Sequence, residues 1–485
     1  MSPARASVLL LTASLAACTL GPDYRPPAPP VGSTAPLTGS DGKTASAQPL
    51  PPGWWRLYDD PRLNDLVEQA FAVNDELKVA EANLAAARAI FEGARALQLP
   101  QTATEGSATY GRNPTLDTIL ETEGHEPQDS WLFDATFDVS YELDLFGHVR
   151  RSVEAARDNA EAVAAARDGL RVTIAAETAR AYGSVCALGE QLAVARHSLG
   201  VVQEELRIVE NRRAAGAGTD FDVVRSKTLV AQVKAILPPL EGQREAALLE
   251  LTALLGRTPA RAPRKVLDCT TPPQLTEAVP VGDGAALLQR RPDIREADRK
   301  LATALAEIGV AKADLFPRVT LNGFYGGASN QITLLGSNSG LAWGLGPAIS
   351  WSFPNLAGPL ARLAQSRAAA RGALAQYDAT VLTALKETAQ ALAAYRAELD
   401  HHAALAAAAS EAGQALGMAR DQFTAGGISH LDLLTTEQTK VAADQAVAAS
   451  DAALIQDQIA LFKALGGGWE RPEAHPRHGA SNASH

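Results

Sequence analysis

Residues 131–145 read Trp-Leu-Phe-Asp-Ala-Thr-Phe-Asp-Val-Ser-Tyr-Glu-Leu-Asp-Leu, and a helical stretch without proline follows from His148 to Ala214. In the first part Trp131, Phe133, Ala135, Phe137, Val139, Tyr141, Leu143 and Leu145 alternate with Leu132, Asp134, Thr136, Asp138, Ser140, Glu142 and Asp144. A period of two sends successive side chains to opposite faces of a sheet, so this is a strand with one apolar and one acidic face. The second part is dominated by Ala, Arg, Glu and Leu, all strong helix formers. As one helix it would reach roughly 100 Å at about 1.5 Å per residue. A rod of that length cannot bury itself in a globule. It must pack beside others, and abundant Ala lets the axes approach closely.

The same pattern is written twice. Leu77, Ala80, Leu84, Ala94 and Pro100 recur as Ile294, Ala297, Leu301, Ala311 and Pro317, at an offset of 217. Tyr141, Leu143, Gly216, Asp222 and Gly256 recur as Trp351, Phe353, Gly426, Asp432 and Gly466, at an offset of 210. The slip of seven falls in the first copy's longer loop, around Gly111 to Gln128. Each copy therefore runs helix, strand pair, very long helix, tight turn, returning helix. The second long helix is expected from Leu360 to Thr424, and the turns at Gly216-Ala217-Gly218 and Gly426-Gly427, where glycine supplies the left-handed conformation that ends a helix. The returning helix from Asp220 to Gly256 is expected to be interrupted at Pro238-Pro239, and one helix is expected from Arg290 to Phe316.

The second copy's strand alternates Leu341, Trp343, Leu345, Ile349, Trp351 and Phe353 with Ala342, Gly344, Gly346, Ser350 and Ser352. Both runs reach the about nine to eleven residues that a tilted membrane strand needs. A half-buried soluble sheet would alternate in the same way. Each strand pair, however, is inserted directly between helices, with no second sheet to cover its apolar face. Four strands cannot close a membrane barrel, and an open edge in lipid leaves unpaired backbone groups that each cost several kcal/mol. Neighbouring copies must complete the wall, and two, three or more are physically acceptable.

At the N-terminus, Arg5 precedes an apolar run, Val8 to Ala17, ending in Leu15-Ala16-Ala17-Cys18. The run is too short to span a bilayer and reads as a secretory signal over residues 1–17. Small residues before a cysteine resemble the bacterial lipobox, which makes Cys18 the expected site of a covalent N-terminal lipid. In that resemblance an Asp in the next position favours the inner membrane, so Thr19 points to the outer one. The chain has a formal net charge of −11 and no long apolar run, which argues against nucleic acid as a partner. Cys186 and Cys269 provide no disulfide framework. An oxidising compartment would permit one bond, but they read as two buried or idle thiols. The nine histidines form no ligand pattern, and no nucleophile motif or dinucleotide fingerprint appears, so no metal, no cofactor and no enzymatic activity are expected. The expected organisation is a signal peptide (1–17), a proline-rich leader (18–60), a first repeat (61–258), a connector (259–283), a second repeat (284–470) and a polar tail (471–485).

With these features assembled, the chain resembles the TolC-like outer membrane factors, and within them the lipidated branch that serves resistance-nodulation-division pumps. Local signatures carry the resemblance: Cys18-Thr19-Leu20-Gly21-Pro22-Asp23-Tyr24, Trp54-Trp55 ahead of Asp60-Pro61, and Arg291-Pro292-Asp293-Ile294-Arg295. The resemblance implies a mainly α fold with a small β part. Three chains would supply four strands each to a 12-stranded outer-membrane barrel, and duplicated helical hairpins would form a periplasmic α-barrel, with residues 259–283 as an equatorial connector. It also implies a lipid-anchored homotrimer, an inner-membrane pump and a periplasmic membrane-fusion adaptor, with the chain itself a passive duct. The alternatives are a duct for type I protein secretion, or a lipid-anchored helical scaffold without a pore. The resemblance further implies a closed periplasmic end narrowed by rings of acidic residues. Asp432, within Ser429-His430-Leu431-Asp432, matches one such position, whereas Ser429 and Thr435 depart from the acidic pattern. Asp432 reads equally as a helix-start residue favourable to the helix dipole, and Asp220 and Asp222 near the first turn carry the same two readings. Asp134, Asp138, Glu142 and Asp144 are the expected acidic wall of the barrel lumen, with a mild preference for cations. Cargo is not legible.

Overall fold

The computed structural model describes residues 19–35, 45–112, 122, 126, 129–275, 277–338 and 340–469. Cys18, the signal segment and the polar tail lie outside the described residues. The principal helices are α1 (Pro61–Val73), α2 (Asp75–Ala96), α3 (His148–Ala214), α4 (Asp220–Leu254), α5 (Gly284–Arg290), α6 (Pro292–Ala313), α7 (Ala357–Thr424) and α8 (His430–Ala464). The strands are β1 (Ala45–Ser46), β2 (Gln101–Gly111), β3 (Ser130–Leu143), β4 (Val279–Pro280), β5 (Arg318–Ser329) and β6 (Leu341–Ser350). α3 and α7 are the expected rods, of 67 and 68 residues.

Two expectations are corrected. Pro238 and Pro239 do not interrupt α4, which runs through both. Both prolines and the carbonyl-bearing residues one turn earlier, Lys234 and Ala235, are exposed, so water can satisfy the freed carbonyls. The segment from Arg290 to Phe316 is not one helix: Arg291 is extended (φ −63°, ψ 122°) and separates α5 from α6. Arg291 precedes a proline, and clash with the proline ring disfavours helical backbone there. The equivalent position in the first copy, Asn74, is also extended (φ −61°, ψ 127°) and separates α1 from α2.

The chain divides into two compact units, each drawing on both copies of the repeat: Met1–Ala28, Asn83–Ala164 and Glu296–Tyr377 form one, and Pro29–Ala82, Ala165–Arg295 and Asp378–His485 the other. The first holds one four-stranded antiparallel sheet in the order β2-β3-β5-β6. Each copy contributes a hairpin, and the β3–β5 pairing from Phe133↔Ser329 to Leu143↔Val319 joins them. Strands β2 and β6 are the two edges.

The second unit has the aromatic core. Trp54 stacks on Phe462, with centroids 4.5 Å apart, and the Tyr58 hydroxyl donates to Gln458 Oε1 at 3.1 Å. Asp60 caps α1, accepting from the amides of Arg62 (2.8 Å) and Leu63 (3.2 Å), and its other oxygen accepts from the Tyr182 hydroxyl at 2.7 Å. Pro61 occupies the first helical turn, where no amide donor is needed. Ala175, Ala176, Ala179 and Ala181 of α3 are buried, consistent with closely packed helices. The reading of Cys186 and Cys269 as idle thiols is also corrected: they form a disulfide, which ties the connector to α3. Beside it, Arg244 donates to the carbonyls of Val185, Leu267 and Cys269.

Candidate functional site

Cross-strand register sorts every side chain of the sheet onto one of two faces, because directly opposed residues point the same way. One face carries Tyr110, Trp131, Phe133, Phe137, Val139, Tyr325, Trp343, Leu345 and Ile349. All but Phe133 and Val139, which are half-buried, are exposed rather than packed: Trp343 and Leu345 are each 73 % accessible and Ile349 is 72 %. The other face carries Gln101, Glu105 and Ser107 on β2, and Asp134, Thr136, Asp138, Ser140 and Glu142 on β3. Thr320 and Asn322 on β5 continue it, opposite small residues on β6. Such an arrangement suits a thin wall between two solvents, one apolar and one aqueous.

Asp134 and Asp138 lie along the polar face of β3, and Glu142 near its end faces His148 Nδ1 at 3.5 Å. Asp144 lies one residue past the strand, where its carboxylate accepts from the amides of Val149 (3.2 Å) and Arg150 (2.9 Å) and so starts α3. The alternation that extends to Leu145 in sequence therefore stops at Leu143 in structure, because Asp144 is held by the helix. Phe146 stacks on Phe316, with centroids 4.8 Å apart, in the link between α6 and β5 of the second copy.

The segment just after Cys18 docks against this junction. The Leu20 amide donates to the Phe146 carbonyl at 3.3 Å, Arg151 Nη2 reaches Asp23 at 2.6 Å, and the Tyr24 hydroxyl donates to Asp298 while Arg299 covers its ring at 5.0 Å. Two notches depend on glycine. A β-carbon at Gly21 (φ 106°) would lie 2.6 Å from Gly309 Cα, and one at Gly147 would lie 2.7 Å from Thr19 Cγ2. The motif from Thr19 to Tyr24 thus follows a fitted track.

In the second unit the two helical turns are built alike. Gly216 (φ 75°) and Gly426 (φ 77°) end α3 and α7, with matching bonds from the Ala217 amide to the Arg212 carbonyl (2.9 Å) and from the Gly427 amide to the Gln422 carbonyl (2.8 Å). Thr219 and Ser429 then open α4 and α8 with reciprocal capping boxes, the third helical residue being Asp222 in one and Asp432 in the other. The hydrogen bond from the Thr219 hydroxyl holds Asp222 below its ordinary carboxylate range, and the Ser429 hydroxyl does the same for Asp432. Asp220 pairs with Arg213 at 2.8 Å. His430 connects the two hairpins: its Nε2 lies 3.0 Å from Ser226 Oγ, and burial keeps the imidazole below its ordinary range, against the pull of Asp222.

Deeper along the same helices lies a group that sequence reading does not single out. Glu437 of α8 is 1 % exposed and pairs with Arg420 of α7 at 3.3 Å. Burial, with the Glu205 charge from α3 beside it, lifts the Glu437 carboxyl to about 7. Burial also raises Glu205. A charged residue on a long polar helix carries no local mark of burial, so only packing reveals the group.

A sheet with one exposed apolar face, one polar face and two open edges, carried by helices of this length, defines a wall segment of a membrane channel. The chain belongs to the outer membrane efflux protein family, whose model matches residues 66–257 and 285–467. It is 30 % identical over 472 residues to the outer membrane protein OprJ of Pseudomonas aeruginosa, covering 96 % of each chain. It is 26 % identical to the cation efflux system protein CusC of Escherichia coli O157:H7, covering 97 % of this chain and 100 % of that one. The structure of the outer-membrane channel OprN matches with a TM-score of 0.86 and 34 % identity, covering 93 % of this chain and 100 % of that chain. The protein is an outer-membrane efflux channel that extends into the periplasm, in a family of channels and not of enzymes. The fold is the TolC-like one, mainly helical with a small sheet.

Proposed function

We propose that three copies close a twelve-stranded barrel and form the exit duct of a tripartite efflux system, receiving cargo from an inner-membrane resistance-nodulation-division pump through a periplasmic adaptor. The observation that carries this reading is the sheet itself. Strands β2 and β6 leave hydrogen-bonding edges, the apolar face is exposed, and lipid tolerates such a sheet only when other chains complete it. Asp134, Asp138 and Glu142 then line the aqueous lumen and Asp144 stands at its base. The turns carrying Asp220, Asp222, Ser429, His430 and Asp432 form the periplasmic gate, where a ring of Asp432 carboxylates is held closed until the adaptor engages. Energy comes from the pump. The duct needs no cofactor or metal.

We further propose that Cys18 carries the lipid. Support comes from the fitted track that ends at Thr19 beside Gly147, where β3 gives way to α3 and a lipid chain would meet the membrane boundary. Reconstitution into planar lipid films tests the duct: ion-conducting events are expected, and a purified protein that never conducts contradicts it. Cys18→Ala should abolish labelling with radioactive palmitate while trimers persist in detergent, because the barrel holds the protein in the membrane. Persistent labelling of that variant would place the lipid elsewhere.

A further inference from the structure

Among the described residues, the polar face of the sheet bears one aromatic ring. Phe324 on β5 stands opposite Asp138 on β3 and Gly344 on β6, whereas its neighbour Tyr325 stands opposite Phe137 and Trp343 on the apolar face. Around Phe324 the polar face is stripped of bulk: Gly326 and Ala328 follow on β5, and Ala342, Gly346 and Ala348 flank Gly344 on β6. The ring lies over Gly344, where an added β-carbon would come within 2.6 Å of Phe324 Cε1, yet the residue stays 45 % exposed. The atoms over the glycine, Cδ1, Cε1 and Cζ, are one edge of the ring, so nearly half of the side chain stays accessible on the polar face. Across the strand gap, Asp138 accepts from the Thr136 hydroxyl at 2.8 Å and contributes a carboxylate to the same row.

We propose that Phe324 and Asp138 form a cargo contact in the conduit wall that favours organic cations with an apolar body. Directly opposed residues in a sheet have β-carbons about 5 Å apart, so ring and carboxylate meet the same solute. The ring offers its negative π-face and an apolar surface, and the carboxylate offers charge. Small inorganic cations gain charge attraction but no apolar contact, and neutral solutes gain only from the ring. Threefold repetition would place three such pairs at one level of the barrel. The inference rests on the reading that this face lines the conduit.

Tetraphenylphosphonium is the probe, added to the full-length trimer in planar lipid films while potassium current is recorded. Wild type should show concentration-dependent reduction of the current. Phe324→Leu and Asp138→Asn should each weaken that block about two- to fivefold, as expected for loss of one exposed cation contact, while Phe324→Tyr retains it. Phe324→Leu keeps apolar bulk over Gly344, so assembly of the variant, checked as trimer in detergent, separates lost contact from lost fold. Should it fail to assemble, Asp138→Asn decides alone. A channel that conducts but is not blocked, or is blocked equally in wild type and the assembled variants, overturns the inference while leaving the duct intact. Absence of any wild-type conductance instead refutes the duct, and the inference with it.

Discussion

The Arg291 guanidinium donates to the carbonyl of Ala464 at 2.6 Å, closing the C-terminal end of α8 with a side chain from another helix pair. The equivalent bond in the first copy runs from Asn74 Nδ2 to the carbonyl of Leu254, the last residue of α4, at 3.3 Å. Arg291 also reaches Asp293 (2.7 Å) and Glu387 (2.9 Å), and Arg290 donates to the Leu465 carbonyl at 2.9 Å. One extended residue before a proline thus joins α5, α6, α7 and α8.

Replacing Arg291 by Ala should destabilise the fold by about 2 kcal/mol, since the buried Ala464 carbonyl loses a charged donor, whereas Asp293 and Glu387 are nearly half exposed and stay hydrated. Arg291→Lys should recover only part, because a single ammonium lacks the fork geometry. Chemical denaturation of the purified protein measures both. Equal stability of Arg291→Ala and wild type would show that the bonds to Ala464 and Glu387 contribute nothing.

Stability should fall as pH rises through about 7. Glu437 titrates near that value when folded and in the ordinary carboxylate range when unfolded, so the folded state binds the proton more tightly. The contribution is complete below the unfolded pKa and is lost as pH passes the folded one. Glu190, which burial beside Asp451 also lifts to about 7, adds to the same slope. Melting temperatures at pH 5.5 and 8 should differ in wild type, and the difference should shrink in Glu437→Gln, mainly through a gain at pH 8, with the share of Glu190 remaining. An unaltered slope in that variant rules Glu437 out as a source.

Ser429 and Asp432 bond to each other in the α8 capping box, so cap and charge can be separated at the proposed gate. Asp432→Ala should raise single-channel conductance by removing the carboxylate ring, whereas Ser429→Ala loses the hydroxyl half of the cap but keeps the charge and should leave conductance near wild type. If both variants conduct alike, loosening of the helix end, rather than charge, accounts for the change.

Where local rules suffice, the structure follows them. No proline interrupts α3, Gly147 and Gly216 stand just outside its ends at His148 and Ala214, and alternation finds the two faces of β3. The rest depends on what approaches from far along the chain. Nothing near Cys186 announces Cys269, 83 residues away. Pro238 and Pro239 are tolerated because their side of α4 is exposed, a fact of packing. Glycine counts do not distinguish Gly21, which must clear Gly309, from Gly200, around which there is open space. Asp432 looks the same in sequence whether it caps a helix or guards a passage. Its bond to Ser429 establishes the cap, and only the neighbouring chains of an assembly bear on the passage.

The number of chains in the detergent-solubilised protein is the most direct test of the account, measured by native mass spectrometry with light scattering as a check. Three copies per particle, inseparable without unfolding the sheet, is the predicted result. A stable single chain that keeps its strands and needs no detergent would contradict it, because the open edges of β2 and β6 would then require no partner.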